Sequence, residues 1–314
     1  MSKEKVLISL VGEQPAANII PVYELSPDRI VLAKSGRTGE VAERLKDLFL
    51  ASNNNRPVSL VDIDAYDAND AYEVLKSEVG NPENAIIYGN ITSGTKPMAF
   101  ALQRVLRELP GREHRLVYYR TEKSQGLLYY YDPETLAFVE SPAAVSHTIS
   151  LDEYLAAYWG MNAYKIKNRA QNSIGHIFEG VVYAALKDCV DEIKRNVVRV
   201  GKALEADILL RCGNQVGVVE VKAGDSEPKK GLDQLNTAGD KLAFGTYVKK
   251  FLVVSKIWTR DEKAELLELA EAHGIKVIGL PSFDASNKTI SEEDRKKLVS
   301  TIREDLRCQG DVEC

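Results

Sequence analysis

Four cysteines in 314 residues (Cys189, Cys212, Cys308 and Cys314) form no CxxC spacing, which argues against a zinc ribbon and a disulfide framework alike. No apolar run approaches the length of a membrane span, and the opening MSKEKVLISLVGEQP enters a strand-like segment too soon for a secretory leader. The expectation is a cytoplasmic protein with no membrane partner. Positive charge is not in excess either: 41 Lys and Arg stand against 46 Asp and Glu, a formal net charge of −5. That balance excludes a uniformly basic nucleic-acid coat and leaves room for a local basic groove. With 44% hydrophobic and 28% charged residues the chain is not of the disordered class, and its length accommodates two ordinary domains.

The most informative stretch is Leu204 to Lys222, LEADILLRCGNQVGVVEVK. It reads as two strands, Ala206 to Cys212 and Gln215 to Lys222, joined by Gly213-Asn214, a pair that tolerates the dihedrals of a tight hairpin. With those two residues as the loop, Cys212 faces Gln215, and stepping outward brings Asp207 opposite Glu220. Like charges directly opposite on neighbouring strands destabilise a sheet unless something offsets them, and a divalent cation would do so. Lys222, two residues past Glu220, projects from the same face. The bland reading is a solvated strand edge, but apolar DILL and VGVV flank these charges, as in a sheet covered on both faces. Buried charges need partners.

Residues 4 to about 131 alternate strand-like and helix-like runs: VLISLV and a segment from Ala16, RIVLAK and a helix Thr38 to Leu50, VSLVDID and Asp70 to Val79, AIIYGN and Pro97 to Leu109, then RLVYYR and LLYYYD. The pattern predicts a mostly parallel, doubly wound α/β sheet, with ligands beyond the carboxyl ends of the strands. Two loops there are rich in small and polar residues: Ser9 to Pro15, containing Gly12, Glu13 and Gln14, and Asn90 to Lys96, containing Thr92, Ser93, Gly94 and Thr95. Hydroxyls, Lys96 and free backbone N–H groups at a helix start can cradle a phosphate or ribose. Gly89 to Lys96 is not a P-loop, because an extra Thr precedes the lysine and Pro97 follows it. Alone, such a loop is as well explained as a helix cap.

From Phe138 to Asn168 the pattern changes to turn residues and a helix with Tyr154, Tyr158 and Trp159, a connector in which His147 is structural or exposed. The expected division is residues 1–140, a connector 141–170, and a second α/β domain 171–314. In the latter, Ile174, Ile177, Phe178, Val181, Val182, Ala185, Leu186 and Cys189 follow helical spacing, with Glu179 at the border of the stripe. Gly231 to Asn236 opens another helix carrying Gln234; FLVVS, a helix Thr259 to Ala272, IKVIGL and a charged helical tail follow.

The order Glu179, Asp207, Glu220-Val221-Lys222, Gln234 resembles the PD-(D/E)xK nuclease superfamily, with Ala206 where many members carry Pro. The resemblance implies a restriction-endonuclease-like domain in which Asp207, Glu220 and the carbonyl of Val221 hold Mn2+ or Mg2+. It further implies that Lys222 handles the attacking water, Glu179 completes the metal shell through a water, and Gln234 positions Lys222 or substrate. The amino-terminal half resembles the CARF domain, the Rossmann-like sensor of cyclic oligoadenylates in type III CRISPR defence. That resemblance implies a homodimer binding one ring, cyclic tetra-adenylate or hexa-adenylate, through Ser9, Gly12, Glu13 and Gln14 and through Thr92, Ser93, Gly94, Thr95 and Lys96. Ser93 stands where a second Gly is frequent. Together they imply a ring-activated endonuclease acting on RNA and/or DNA. Two readings compete: a nucleotide-responsive nucleic-acid-binding regulator without cleavage, and a repair or restriction nuclease indifferent to cyclic nucleotide.

Overall fold

In the computed structural model, residues 3–52, 56–80, 84–111, 113–122, 125–167, 173–202, 204–224, 228–238, 243–245, 247–255 and 260–310 are described. Gln171, Thr259 and Cys314 fall outside them. The chain divides into two compact units, Met1–Ile149 with Ala156–Met161, and Ser150–Leu155 with Asn162–Cys314.

The first unit follows from the alternation in its sequence. Strands β1 (Glu4–Leu10), β2 (Arg29–Lys34), β3 (Val58–Asp62), β4 (Ala85–Asn90), β5 (Arg115–Glu122), β6 (Gln125–Tyr131) and β7 (Ala143–Ala144) form one sheet in the order β3-β2-β1-β4-β5-β6-β7. The first five run parallel, while β6 pairs antiparallel with β5 and β7 with β6. Helices α1 (Ala16–Leu25), α2 (Gly39–Ser52), α3 (Ala68–Val79) and α4 (Lys96–Glu108) make the crossovers. Ile8, Val31 and Ile87 of the sheet pack with Leu75 of α3 and Leu102 and Val105 of α4 in one core. Parallel strands buried on both faces explain the near-continuous apolar runs. The strand order reverses between β1 and β4, so a crevice opens beyond their carboxyl ends, where both polar loops begin.

Helix α5 (Leu151–Trp159) is divided between the units. The second unit contains β8 (Tyr164–Ile166), α6 (Ile174–Leu186), β9 (Glu192–Arg199), β10 (Glu205–Cys212), β11 (Gln215–Lys222), α7 (Pro228–Ala238), β12 (Lys249–Val254), α8 (Arg260–Ala272), β13 (Ile275–Gly279) and α9 (Glu292–Leu306). Its sheet has the order β13-β12-β11-β10-β9-β8, antiparallel from β8 to β11 and parallel from β11 to β13. Phe178, Val182 and Leu186 of α6 and Leu298, Ile302 and Leu306 of α9 pack against Ile208, Leu210, Val219, Val221, Phe251 and Val253. By strand alternation the charged Asp207, Glu220 and Lys222 belong to the other set of positions.

One expectation is overturned. Cys212, at the end of β10, is joined to Cys308, just past α9, by a disulfide with a Cα–Cα distance of 5.0 Å. The partners are 96 residues apart, so no local spacing signals the bond; it arises because the last helix ends beside the turn of the hairpin. Cys314 lies beyond the described residues. Among the described residues no helix is long and apolar enough to cross a membrane.

Candidate functional site

In the second unit the hairpin has the register that the Gly213-Asn214 turn requires: Cys212 faces Gln215, and pairing continues to Ile208 opposite Val219. There the strands part, because β10 continues along β9, with Ala206 opposite Val197 and Glu205 opposite Val198, while β11 continues along β12. Asp207 stands at the fork. Its Oδ2 accepts the amide hydrogen of Val221 across 2.9 Å, so a side chain takes the place of the next ladder acceptor. Its carboxyl is also hydrogen-bonded to that of Glu220. Asp207 and Glu220 are only 4% and 3% exposed. Burial first, and the Asp207 carboxylate second, push the Glu220 carboxyl up to about 8. Lys222 acts in the opposite direction, with its Nζ 2.5 Å from Glu220 Oε1.

Helix α7 closes over this group at Gly231. A Cβ there would lie 2.7 Å from Leu252 Cδ1 and 3.4 Å from two carbons of the Lys222 stem, so a larger residue would have to displace the Leu252 side chain to keep the helix this close. Gln234 is on the same helix, exposed, three residues on. Glu179 is not at the border of a solvated flank: it is 4% exposed on α6. Its Oε2 lies 3.5 Å from Arg195 Nη2 and 3.7 Å from His176 Nδ1, and Arg195 also donates to the His176 carbonyl at 2.7 Å. Among the described residues no set of three or more His, Cys, Asp or Glu is gathered to hold an ion. Arg195 carries no mark in the sequence, because EIKRNVVR mixes charged and apolar residues without a strand period, and His176 gains its place only from the approach of Arg195 to its helix.

In the first unit the two polar loops meet at the crevice. A Cβ on Gly12 would lie 2.8 Å from Ser93 Cβ, so the loops touch where Gly12 lacks a side chain. Glu13, Gly94 and Lys96 are exposed; Gly12, Gln14, Thr92, Ser93 and Thr95 are partly so. The Oε1 of Gln14 accepts from the Tyr158 hydroxyl at 3.0 Å. Thr95 caps α4, accepting from the Met98 amide at 3.4 Å, and its hydroxyl donates to the Ala65 carbonyl. Lys96 is the first residue of that helix rather than the last of a loop.

Ser9 corrects the list of ligand contacts, because it is completely buried. It is the hub beneath the crevice: its hydroxyl oxygen accepts from Asn18 Nδ2 at 2.9 Å and Asn90 Nδ2 at 2.8 Å. Asn90 Oδ1 in turn accepts from the Thr92 amide at 3.1 Å and hydroxyl at 2.6 Å, and Thr92 Oγ1 accepts from the Tyr119 amide at 2.7 Å. Buried polar groups of this kind rigidify what they hold when satisfied. Asn18 Oδ1 is left buried without a partner.

The family model described as the Card1 CARF domain matches residues 6–154. Those residues are a CARF domain. No curated protein sequence matches the chain. Among solved structures, the chain is similar to Can2 from Sulfobacillus thermosulfidooxidans in complex with cyclic tetra-adenylate, with a TM-score of 0.70 at 14% identity over 95% of this chain and 98% of that one. It is similar to protein VC1899 from Vibrio cholerae, with a TM-score of 0.68 at 11% identity over 96% and 98%. A type III CRISPR defence DNA nuclease activated by cyclic oligoadenylate matches with a TM-score of 0.55 at 14% identity, over 81% of this chain and 46% of that one. At these identities the matches establish a common fold over nearly the whole of the chain.

Proposed function

We propose that the protein is a cyclic-oligoadenylate-activated, metal-dependent endonuclease that cuts RNA and/or DNA in type III CRISPR antiviral defence. The observation that carries this reading is the hydrogen-bonded Asp207–Glu220 pair, buried in a strand fork with Lys222 against it. A fold gains nothing from burying Glu220 beside a second carboxylate that raises its proton affinity. A site for a hard cation does. The donor chemistry fits Mn2+ or Mg2+, since both favour oxygen ligands and the fork supplies two carboxylates beside the backbone of Val221.

When bound there, such an ion acidifies a water and offsets charge on the scissile phosphate. Asp207, Glu220 and the Val221 carbonyl hold it. Lys222 exchanges its contact with Glu220 for the attacking water or the developing charge. Glu179, its charge balanced by Arg195, acts through a water, and Gln234 reaches Lys222 or substrate. At the CARF domain, Gly12, Glu13 and Gln14 with Thr92 to Lys96 take one ring across the two-fold axis of a homodimer. Cyclic tetra-adenylate is favoured by the likeness to Can2, solved with that ring, and hexa-adenylate is the alternative. A symmetric ligand contacts both subunits equally and so selects one arrangement of the pair.

The test is cleavage of labelled RNA and supercoiled plasmid DNA with Mn2+, with and without each ring. Ring-dependent cleavage, lost in Glu220→Ala and Lys222→Ala while ring binding persists, is the expected result. Full activity in either variant would remove the site assignment. A rate indifferent to the ring would favour an unregulated nuclease, and no cleavage of any substrate a binding regulator.

A further inference from the structure

We infer that Tyr66 is a stacking platform for an adenine of the bound ring, an assignment that rests on the reading of the CARF domain as a cyclic-oligoadenylate sensor. Tyr66 lies between β3 and α3, past the carboxyl end of a parallel strand and so on the edge of the sheet where both polar loops emerge. Its side chain is 72% exposed, the most of any large hydrophobic residue described in this unit. Packing does not explain it.

The backbone beneath it is nonetheless fixed. The Tyr66 amide donates to Asp64 Oδ1 at 2.7 Å, and the same oxygen accepts from the Asp67 amide at 2.9 Å. The Asp64 amide donates to Asp70 Oδ2 at 3.0 Å, and Asp67 caps α3. The Thr95 hydroxyl donates to the carbonyl of Ala65, tying the residue before Tyr66 to the loop that carries Ser93, Gly94 and Lys96. A large aromatic is thus held in water, on a rigid turn, beside the surface assigned to the nucleotide. Every base offers a π-face to such a ring, and a pre-ordered platform loses little freedom on stacking.

Phe138 provides the contrast. It is 61% exposed, but its ring packs 5.0 Å from that of Tyr131. Tyr131 ends β6 opposite Leu116, near the start of β5, so Phe138 belongs to the amino-terminal edge of the parallel strands. It has no part in a crevice at the other edge.

The experiment is calorimetric titration of the full chain with cyclic tetra-adenylate, together with its oligomeric state by light scattering. Tyr66→Ala should weaken binding roughly 5- to 150-fold, the worth of one stacked base. Tyr66→Phe and Phe138→Ala should bind as the wild type does, and all four proteins should share one oligomeric state. Undiminished affinity in Tyr66→Ala would overturn the assignment and leave the sensor reading intact. A Tyr66→Ala protein that dissociates and loses affinity in step would also overturn it, making Tyr66 an interface residue. Failure of the wild type to bind the ring would instead remove the sensor reading itself.

Discussion

Asp207 accepts the backbone amide of Val221 at 2.9 Å, so the residue that would help hold the ion also closes the fork between β10 and β11. The two duties separate by mutation. Asp207→Asn keeps a carbonyl acceptor for that amide and should fold with near-native stability while losing cleavage. Asp207→Ala leaves the buried amide without an acceptor and should cost about 1–3 kcal/mol in addition. Urea unfolding beside the plasmid assay distinguishes them; equal stability of the two variants would contradict the structural half of this account.

Glu220 opposes stability when no ion is present. Its carboxyl titrates at about 8 in the fold against an ordinary 4.5, so between those values the folded state binds more protons than the unfolded one. Stability is then fullest below 4.5 and is lost as pH rises through about 8. Metal-free wild type should therefore melt progressively lower from pH 5 to pH 8. Glu220→Gln should lack this part of the decline and melt above wild type at pH 8. Parallel melting curves for the two proteins across that range would contradict it.

The Cys212–Cys308 bond fastens the last helix to the hairpin and closes a loop of 96 residues. Its removal by Cys308→Ser should lower stability by about 2–5 kcal/mol through the greater freedom of the unfolded chain. Denaturant unfolding of that variant beside the wild type measures it, and coincident curves would show that the bond adds nothing.

Ser9 and Lys96 should fail in different ways. Ser9→Ala takes the shared acceptor from two fully buried asparagines and should destabilise the CARF domain, about 1–3 kcal/mol for each unsatisfied donor, loosening both loops. Lys96→Ala removes only an exposed cation and should weaken ring binding at unchanged stability, more so at low salt. A melting temperature that falls in Lys96→Ala but not in Ser9→Ala would reverse these assignments.

How much of this was legible beforehand depended on whether a feature is local in sequence. The hairpin register follows from counting outward from Gly213-Asn214, and the five parallel strands follow from apolar runs spaced by amphipathic helices. Strand β9 has no such mark, since its charged residues obscure any period, and with it Arg195 stayed hidden. The Cys212–Cys308 bond and the Ser9–Asn18–Asn90 hub join residues distant in sequence, which spacing cannot report. Ser9 looked like a loop hydroxyl because a polar residue at a strand end is usually exposed; here two buried amides claim it. Glu179 looked like a flank because helical spacing places it at the stripe's margin, whereas Arg195 and His176 enclose it.

The most direct measurement of the central claim is Mn2+ binding to the full chain by calorimetry at pH 8, compared with Asp207→Asn and Glu220→Gln. One ion per chain in the wild type, with affinity lost in both variants, is the predicted result. Binding of equal strength and stoichiometry in all three proteins would mean that the fork between β10 and β11 holds no ion.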